Sequence, residues 1–483
     1  MEAADAWLLD GEKRLVIDGR LVRASDGGLR EVIEPASGAP LAKVSSAGAV
    51  DAAQAIEAAR RAVDDGPWPR MRMGDRAARL EELSRLSAED HAMLARIEAR
   101  DSGRPLRETS VDAACAAKAL RRAAQLSVAA EGSWRRTGRT AEALTLPLGR
   151  GVVVVAAGAH APLRSAVLAV APALAAGNAV IVLPDVRTPL TALRLGELSR
   201  LAGFPPGVLQ VLSGGRDAGT ALARADAVDL LAADLGVERE DWLGAARGAR
   251  PLLSAPRAKG TLVVLNGADP VIAAEHALLG ACYGQGALPF GVQRVIAERK
   301  VHDHLVLQLI ARASTLTLGN PIDPDCELGP LASEGAREAV EAQIAAARAQ
   351  GATLVHGGAP ADDPRVGNGF FLRPALLVGG GPELGVWTRD VPGPLLLIHD
   401  APDREHALAA LPAEGPVGVF GASAAGTSEF AASLFERDLF IDTWNLPDLL
   451  QDPEATPWAA EDFTRSRHVL RAAPDGPAWY QTS

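Results

Sequence analysis

The chain has 483 residues, a formal net charge of -11, 48% hydrophobic residues and only 4% aromatic ones. That length predicts two or three domains with cores built mostly from Val, Leu and Ala, and the acidic balance argues against nucleic acid or an anionic membrane as the main partner, because phosphates would be repelled. Three widely spaced cysteines, Cys115, Cys282 and Cys326, argue against a Cys-x-x-Cys pair or a disulfide framework and make a reducing cytoplasm the default location.

Met1 to Asp10 is acidic and does not read as a signal peptide. Leu15 to Val22 alternates around Asp18-Gly19, which predicts a hairpin. Ala49 to Val63 reads as a helix, and Asp75 to Arg100 continues with apolar residues at helical spacing. Ser110 to Ala130 is a further Ala-rich helix, and the polar stretch Glu131 to Leu148 looks extended. From Gly151 the pattern alternates. Val152 to Val155, Ala179 to Leu183 and Val208 to Leu212 read as strands, and Pro162 to Leu174 and Thr188 to Ala202 as helices. This rhythm is the doubly wound α/β signature. The apolar stretch Gly151 to Leu183 is interrupted by Gly158, His160, Pro162, Arg164, Pro172 and Gly177-Asn178, so it does not read as a membrane span. A second α/β half begins near Ser254, with strands at Thr261 to Leu265 and Arg294 to Glu298. Helices are expected at Pro270 to Tyr283 and within Gly329 to Gly351, and alternation returns over Leu377 to Asp442. The tail, Arg465 to Ser483, reads as a terminal strand or arm. His302-Asp303-His304 is expected as a helix cap in a turn, and no metal site is suggested, since two such residues lack a third ligand.

Several runs carry a resemblance. They are Val16-Ile17-Asp18-Gly19, Ile33 to Gly38, Asp65-Gly66-Pro67-Trp68, Ala171 to Asn178, Thr188-Pro189-Leu190, Gly203 to Leu209, Gly319 to Asp325, Gly329-Pro330-Leu331 and Gly369 to Pro374. On these runs the chain resembles the aldehyde dehydrogenase superfamily over nearly its whole length. The resemblance implies an α/β, aldehyde dehydrogenase-like fold. It implies a Rossmann-like coenzyme domain from residues 1–130 and 149–253, an α/β catalytic domain from 254–445, and a small β oligomerisation arm from 131–148 and 465–483.

That family's reaction uses a cysteine thiolate, an oxyanion-holding Asn amide and backbone N–H, a Glu general base, and side chains that grip NAD(P). Anchored on Arg294 and Ala277-Leu278, the ungapped register puts Pro289 in the cysteine slot. A shifted register through Gly284-Gln285 puts Ala287 there, and neither supplies sulfur. Ala255 stands in the general-base slot, ahead of a retained Lys259. His160 stands in the Asn slot, where an imidazole can donate one hydrogen bond; a loop histidine with no role is the ordinary alternative. Leu183 replaces the ribose-binding Lys, and Val186 the acidic residue that selects NAD over NADP. Asp185 would bring an unhelpful charge to a phosphate. Asp234, in Leu230 to Gly236, occupies the phosphate-loop region and would repel a pyrophosphate. Asp390, before Pro392, keeps the carboxylate that meets the nicotinamide ribose, one methylene shorter. Cys282 is the available substitute nucleophile, although buried cysteines are commonly small hydrophobes.

Losing these groups together reads as a catalytically inactive pseudoenzyme serving as a structural or regulatory subunit. The chain resembles the inactive second module of the lineage in which two copies are fused. On that reading no cofactor is expected, and the partner is a second copy (a homodimer through the arm) or an active aldehyde dehydrogenase paralogue in a heteromer. The alternative is an active NAD(P)-dependent aldehyde dehydrogenase with an atypical site, binding NAD or NADP and oxidising aldehyde to carboxylic acid. It would use Cys282 as nucleophile and His160 as oxyanion donor or base. A third reading is a small-molecule binding module.

Overall fold

Asp18 and Gly19 take φ of 50° and 71° and turn the strand Leu15–Ile17 back on Arg20–Val22, the two-residue hairpin that alternation on either side of Asp-Gly predicts. This computed structural model describes residues 3–137, 141–234, 251–254, 258–361, 366–444, 452 and 458–472. The helix Ala49–Asp64 starts where Asp51 accepts the Gly48 backbone N–H at 2.9 Å. The stretch expected as one helix over 75–100 is two, Met73–Glu89 and His91–Ser102, broken at Asp90. Leu80, Leu83, Leu94 and Ile97 are all buried, so apolar spacing runs through the break and hides it. The next helix, Leu106–Ala129, begins directly after Pro105, four residues before the expected start.

The first seven-stranded sheet has the order Leu252–Ser254, Leu230–Asp234, Val152–Ala157, Ala179–Pro184, Leu209–Val211, Leu15–Ile17, Arg20–Val22. The first five are parallel and the hairpin closes the edge antiparallel. Val152–Ala157 and Ala179–Pro184 are buried at every residue, as expected of parallel strands covered on both faces. The helix Pro162–Ala175 between them is also wholly buried. The chain runs from Val152–Ala157 outward through Ala179–Pro184 to Leu209–Val211, then crosses back to Leu230–Asp234 on the other side. The order therefore reverses at Val152–Ala157, and a crevice opens at the carboxyl ends of such strands.

The second seven-stranded sheet has the order Thr353–His356, Ala375–Val378, Leu395–Ala401, Val292–Glu298, Gly260–Val264, Val417–Phe420, Leu439–Ile441, parallel except at its first pair. Buried apolar clusters pack against it, around Leu262 and Val295 and around Val263 and Ile296. A separate three-stranded sheet joins Ser133–Thr137, Ala141–Gly149 and Thr464–Ala472, all antiparallel. The tail beyond Ala472 lies outside the described residues. His302, Asp303 and His304 lie inside the helix Arg299–Thr315 rather than in a capping turn. Among the described residues no cluster of three His, Cys, Asp or Glu is arranged to hold a metal, and no helix is long and apolar enough to cross a membrane.

Candidate active site

Two of the residues read separately in the sequence meet at the switch point. His160 sits on the turn after Val152–Ala157, and Asp234 ends the neighbouring strand, paired with Ala157. His160 Nε2 lies 3.4 Å from Asp234 Oδ1, and both side chains are 7% exposed. The Gly158 N–H donates to the Asp234 carbonyl at 2.8 Å, which fixes the turn to the strand end. At that distance the carboxylate can pair with the imidazole as an ion when His160 is protonated. Its Nδ1 has no hydrogen-bond partner among the described residues. Glu98 braces the turn from below, its Oε2 accepting the Leu163 N–H at 3.0 Å.

Beside this pair, at the ends of Val152–Ala157 and Ala179–Pro184, lies a cavity of about 200 Å³. Leu183, Val186, Gly214 and Gly215 line it, together with Arg30, Asp185 and Arg216. The expected roles of Leu183 and Val186 thus fall at one place. A side chain at Gly215 would begin 3.5 Å from Arg30 Nη2 and 3.9 Å from Val186 Cγ1, so glycine keeps this end open. Asp185 does not meet the cavity as an unpaired charge. Its Oδ1 accepts the Arg187 backbone N–H at 2.8 Å and Nε at 2.9 Å, and Oδ2 accepts Nη2 at 2.6 Å. Arg30, on the strand Leu29–Ile33, was missed because it comes from the chain start, far in sequence from the motif it joins. Arg187 and Arg216 were missed because the family register has no arginine role there. Among the described residues no side chain fills the cavity, and its lining leaves room for the adenosine end of a dinucleotide. Leu235-Gly236, which would continue toward the pyrophosphate, lie outside the described residues, as does Ala255.

The expected nucleophile region is built differently. Gly284 and Gln285 both take positive φ, 59° and 58°, in a buried turn after the helix Pro270–Cys282. Gln285 is a rare residue for that conformation. Its side-chain amide holds it there, donating to the Ser102 carbonyl at 3.1 Å and to the Pro330 carbonyl. The Gly284 N–H donates to Glu108 Oε2 at 2.8 Å. Lys259, 2% exposed, donates its ammonium to the Gly286 carbonyl and, at 2.6 Å, to the Leu288 carbonyl. Burial pulls its pKa down to about 7, opposed by Asp390. Pro289 follows as a buried residue of this fastened loop. Asp390 is engaged too, accepting from Arg294 Nη2 at 3.1 Å. Cys282 borders a different cavity, of about 180 Å³, with Glu108, His276 and Tyr283. It is 6% exposed and burial pushes its thiol up to about 12, the reverse of what a nucleophile needs. Burial likewise raises Cys115, and raises Cys326 to about 11.

The model of the aldehyde dehydrogenase family matches residues 22–414. The chain belongs to that family. It is similar to a betaine aldehyde dehydrogenase of Cereibacter sphaeroides, 32% identical over 446 residues and 89% of each chain. One from Bacillus subtilis is 30% identical over 400 residues, covering 82% of this chain and 81% of the other. Among solved structures, betaine aldehyde dehydrogenase of Staphylococcus aureus in complex with NAD+ superposes with a TM-score of 0.92 at 24% identity, over 99% of each chain. NAD-dependent aldehyde dehydrogenase of Sinorhizobium meliloti gives 0.89 at 23%, over 99% of this chain and 98% of that one. Both structures speak for the fold.

The inactive, pseudoenzyme reading of the sequence is overturned by these relatives, which are named betaine aldehyde dehydrogenases and match over 82 to 89% of this chain. The expectation that no cofactor binds loses its support with it. The fold adds what the slots taken singly do not show: His160 and Asp234 come together as a pair, and Asp185 is paired with Arg187.

Proposed function

We propose that this chain is an NAD(P)-dependent aldehyde dehydrogenase in which His160, backed by Asp234, takes the proton released on oxidation, without acylation of a cysteine. The observation that carries the reading is the His160–Asp234 pair at the switch-point crevice of a chain in this family. The nicotinamide, when bound, accepts the hydride. The aldehyde reacts as its hydrate, so that C–H leaves as hydride, one O–H proton passes to His160 Nδ1, and the carboxylic acid remains. This balances without a thiol or a second water. Asp234 stabilises the imidazolium that forms, as a carboxylate behind a histidine does in other folds. The cavity bordered by Leu183, Val186 and Gly215 would hold the adenosine end, while Lys259 and Arg294 hold the loop and Asp390 in place.

The division into a coenzyme domain, a catalytic domain and an arm is part of the same proposal, supported by one seven-stranded sheet in each of the two larger parts. We also propose a homodimer through the arm, where Trp134, Leu146 and Val469 are 59%, 38% and 36% exposed on one small sheet.

The test is production of NADH or NADPH with a panel of aldehydes, headed by betaine aldehyde, the substrate in the relatives' names. Turnover is expected, and His160→Ala should lower kcat by roughly 100-fold or more, the usual contribution of a general base. Absence of turnover with every aldehyde, or full activity in His160→Ala, contradicts the proposal.

A further inference from the structure

Resting on the dinucleotide reading above, we propose that the cavity at the carboxyl ends of Val152–Ala157 and Ala179–Pro184 selects a 2′-phosphorylated nucleotide, NADP over NAD, with Arg30 and Arg216 as the specificity-determining residues. In doubly wound folds an acidic residue near this end of the sheet accepts hydrogen bonds from the ribose hydroxyls of NAD, whereas an arginine accommodates the extra phosphate of NADP.

The acidic candidate here is Asp185, and most of its acceptor capacity is taken by Arg187. Three N–H groups of Arg187 reach it at 2.6 to 2.9 Å, including the forked guanidinium contact to both oxygens. A ribose diol would have to share that carboxylate with a bidentate arginine, one of the stronger side-chain pairings. Val186, the next residue, is apolar and offers no acceptor. The 2′-hydroxyl of NAD would therefore meet no free side-chain carboxylate among the described residues that line the cavity.

The cationic side is the reverse. Arg30 and Arg216 both border the cavity and both are exposed. They come from separate elements, the strand Leu29–Ile33 and the helix Arg216–Arg224, so they approach from two directions. Neither forms an ion pair with an acidic side chain among the described residues. With Asp185 offset by Arg187, the two guanidinium groups leave the lining net positive in a chain whose formal charge is -11. Guanidinium groups suit phosphate because their planar donors match its oxygens. The open glycine at 215 leaves room beside Arg30 for such a group.

The experiment is titration calorimetry of the full chain with NADP+, NAD+, adenosine 2′,5′-bisphosphate and 5′-AMP. The two shorter probes read the adenosine end alone, without the hydride step. The phosphorylated member of each pair should bind about tenfold tighter or more, the scale of one charge-assisted contact. Arg30→Ala and Arg216→Ala should each remove most of that difference, weakening the 2′-phosphorylated probes more than 5′-AMP and NAD+, and thermal melting should confirm that both variants are folded. Equal or tighter binding of 5′-AMP and NAD+ overturns the selectivity and leaves the dehydrogenase reading standing, as does an equal loss for all four probes in the arginine variants. Failure of all four to bind overturns both.

Discussion

The crevice at the strand ends and the loop from Tyr283 to Phe290 face the same fold with opposite construction. At the crevice, Nδ1 of His160 has no hydrogen-bond partner among the described residues, a glycine keeps space open, and arginines border the cavity. In the loop the side-chain amide of Gln285 is spent on the backbone, although the buried Tyr283 hydroxyl has no hydrogen-bond partner among the described residues. Lys259 binds two carbonyls, Gln285 two more, and Glu108 takes the Gly284 N–H. The first region is arranged to meet something outside the protein, and the second to keep its own chain in one conformation. A buried network joins them. Glu98, Glu108 and Asp112 converge on Arg104, with Glu98 bracing the His160 turn and Glu108 the loop. On the proposed function, chemistry belongs to the open region and the closed one positions it.

If the loop is a staple, cutting it should cost stability. Lys259→Met strands the Gly286 and Leu288 carbonyls without their donor and should destabilise the fold by about 3 kcal/mol at neutral pH in denaturant titration. Its pH signature has a definite sign. With the ammonium depressed from 10.5 to about 7 in the folded chain, the unfolded chain binds the extra proton between those values, so this group makes stability rise with pH from about 7 upward. That rise should vanish in the variant. A stability curve identical to wild type would break the contrast drawn between the two regions.

Glu108 gives a smaller effect of the opposite sign. Three carboxylates share one arginine, and burial raises Glu108 from 4.5 to about 7. Between those pH values the folded chain holds a proton that the unfolded chain has released. Stability contributed by this group is therefore present at low pH and is lost as pH rises to about 7. Glu108→Gln keeps an acceptor for Gly284 and should flatten that decline, on the order of 2 kcal/mol, in melts taken from pH 5 to 8. An unchanged slope would remove Glu108 from the network.

Much of the fold was legible because its signals are local. Val152 to Val155 and Ala179 to Leu183 announce buried parallel strands by composition alone, and Asp18-Gly19 announces its turn. The break at Asp90 was not legible, since helical spacing persists on both sides. At the site, the motif residues were legible one by one, but their grouping in space was not. Leu183 and Val186 do share a cavity, and His160 was singled out. That Asp234 reaches His160, that Arg187 neutralises Asp185, and that Arg30 arrives from the first strands of the chain are facts of three-dimensional approach, which spacing along the sequence does not encode.

The sharpest test of thiol-free oxidation is the steady-state rate of NAD(P)H formation by a chain with Cys115, Cys282 and Cys326 all changed to alanine. All three thiols are buried with raised pKa, so the rate should stay within about twofold of wild type once folding is confirmed by melting. Loss of turnover in that folded variant, restored by returning Cys282 alone, would contradict the account.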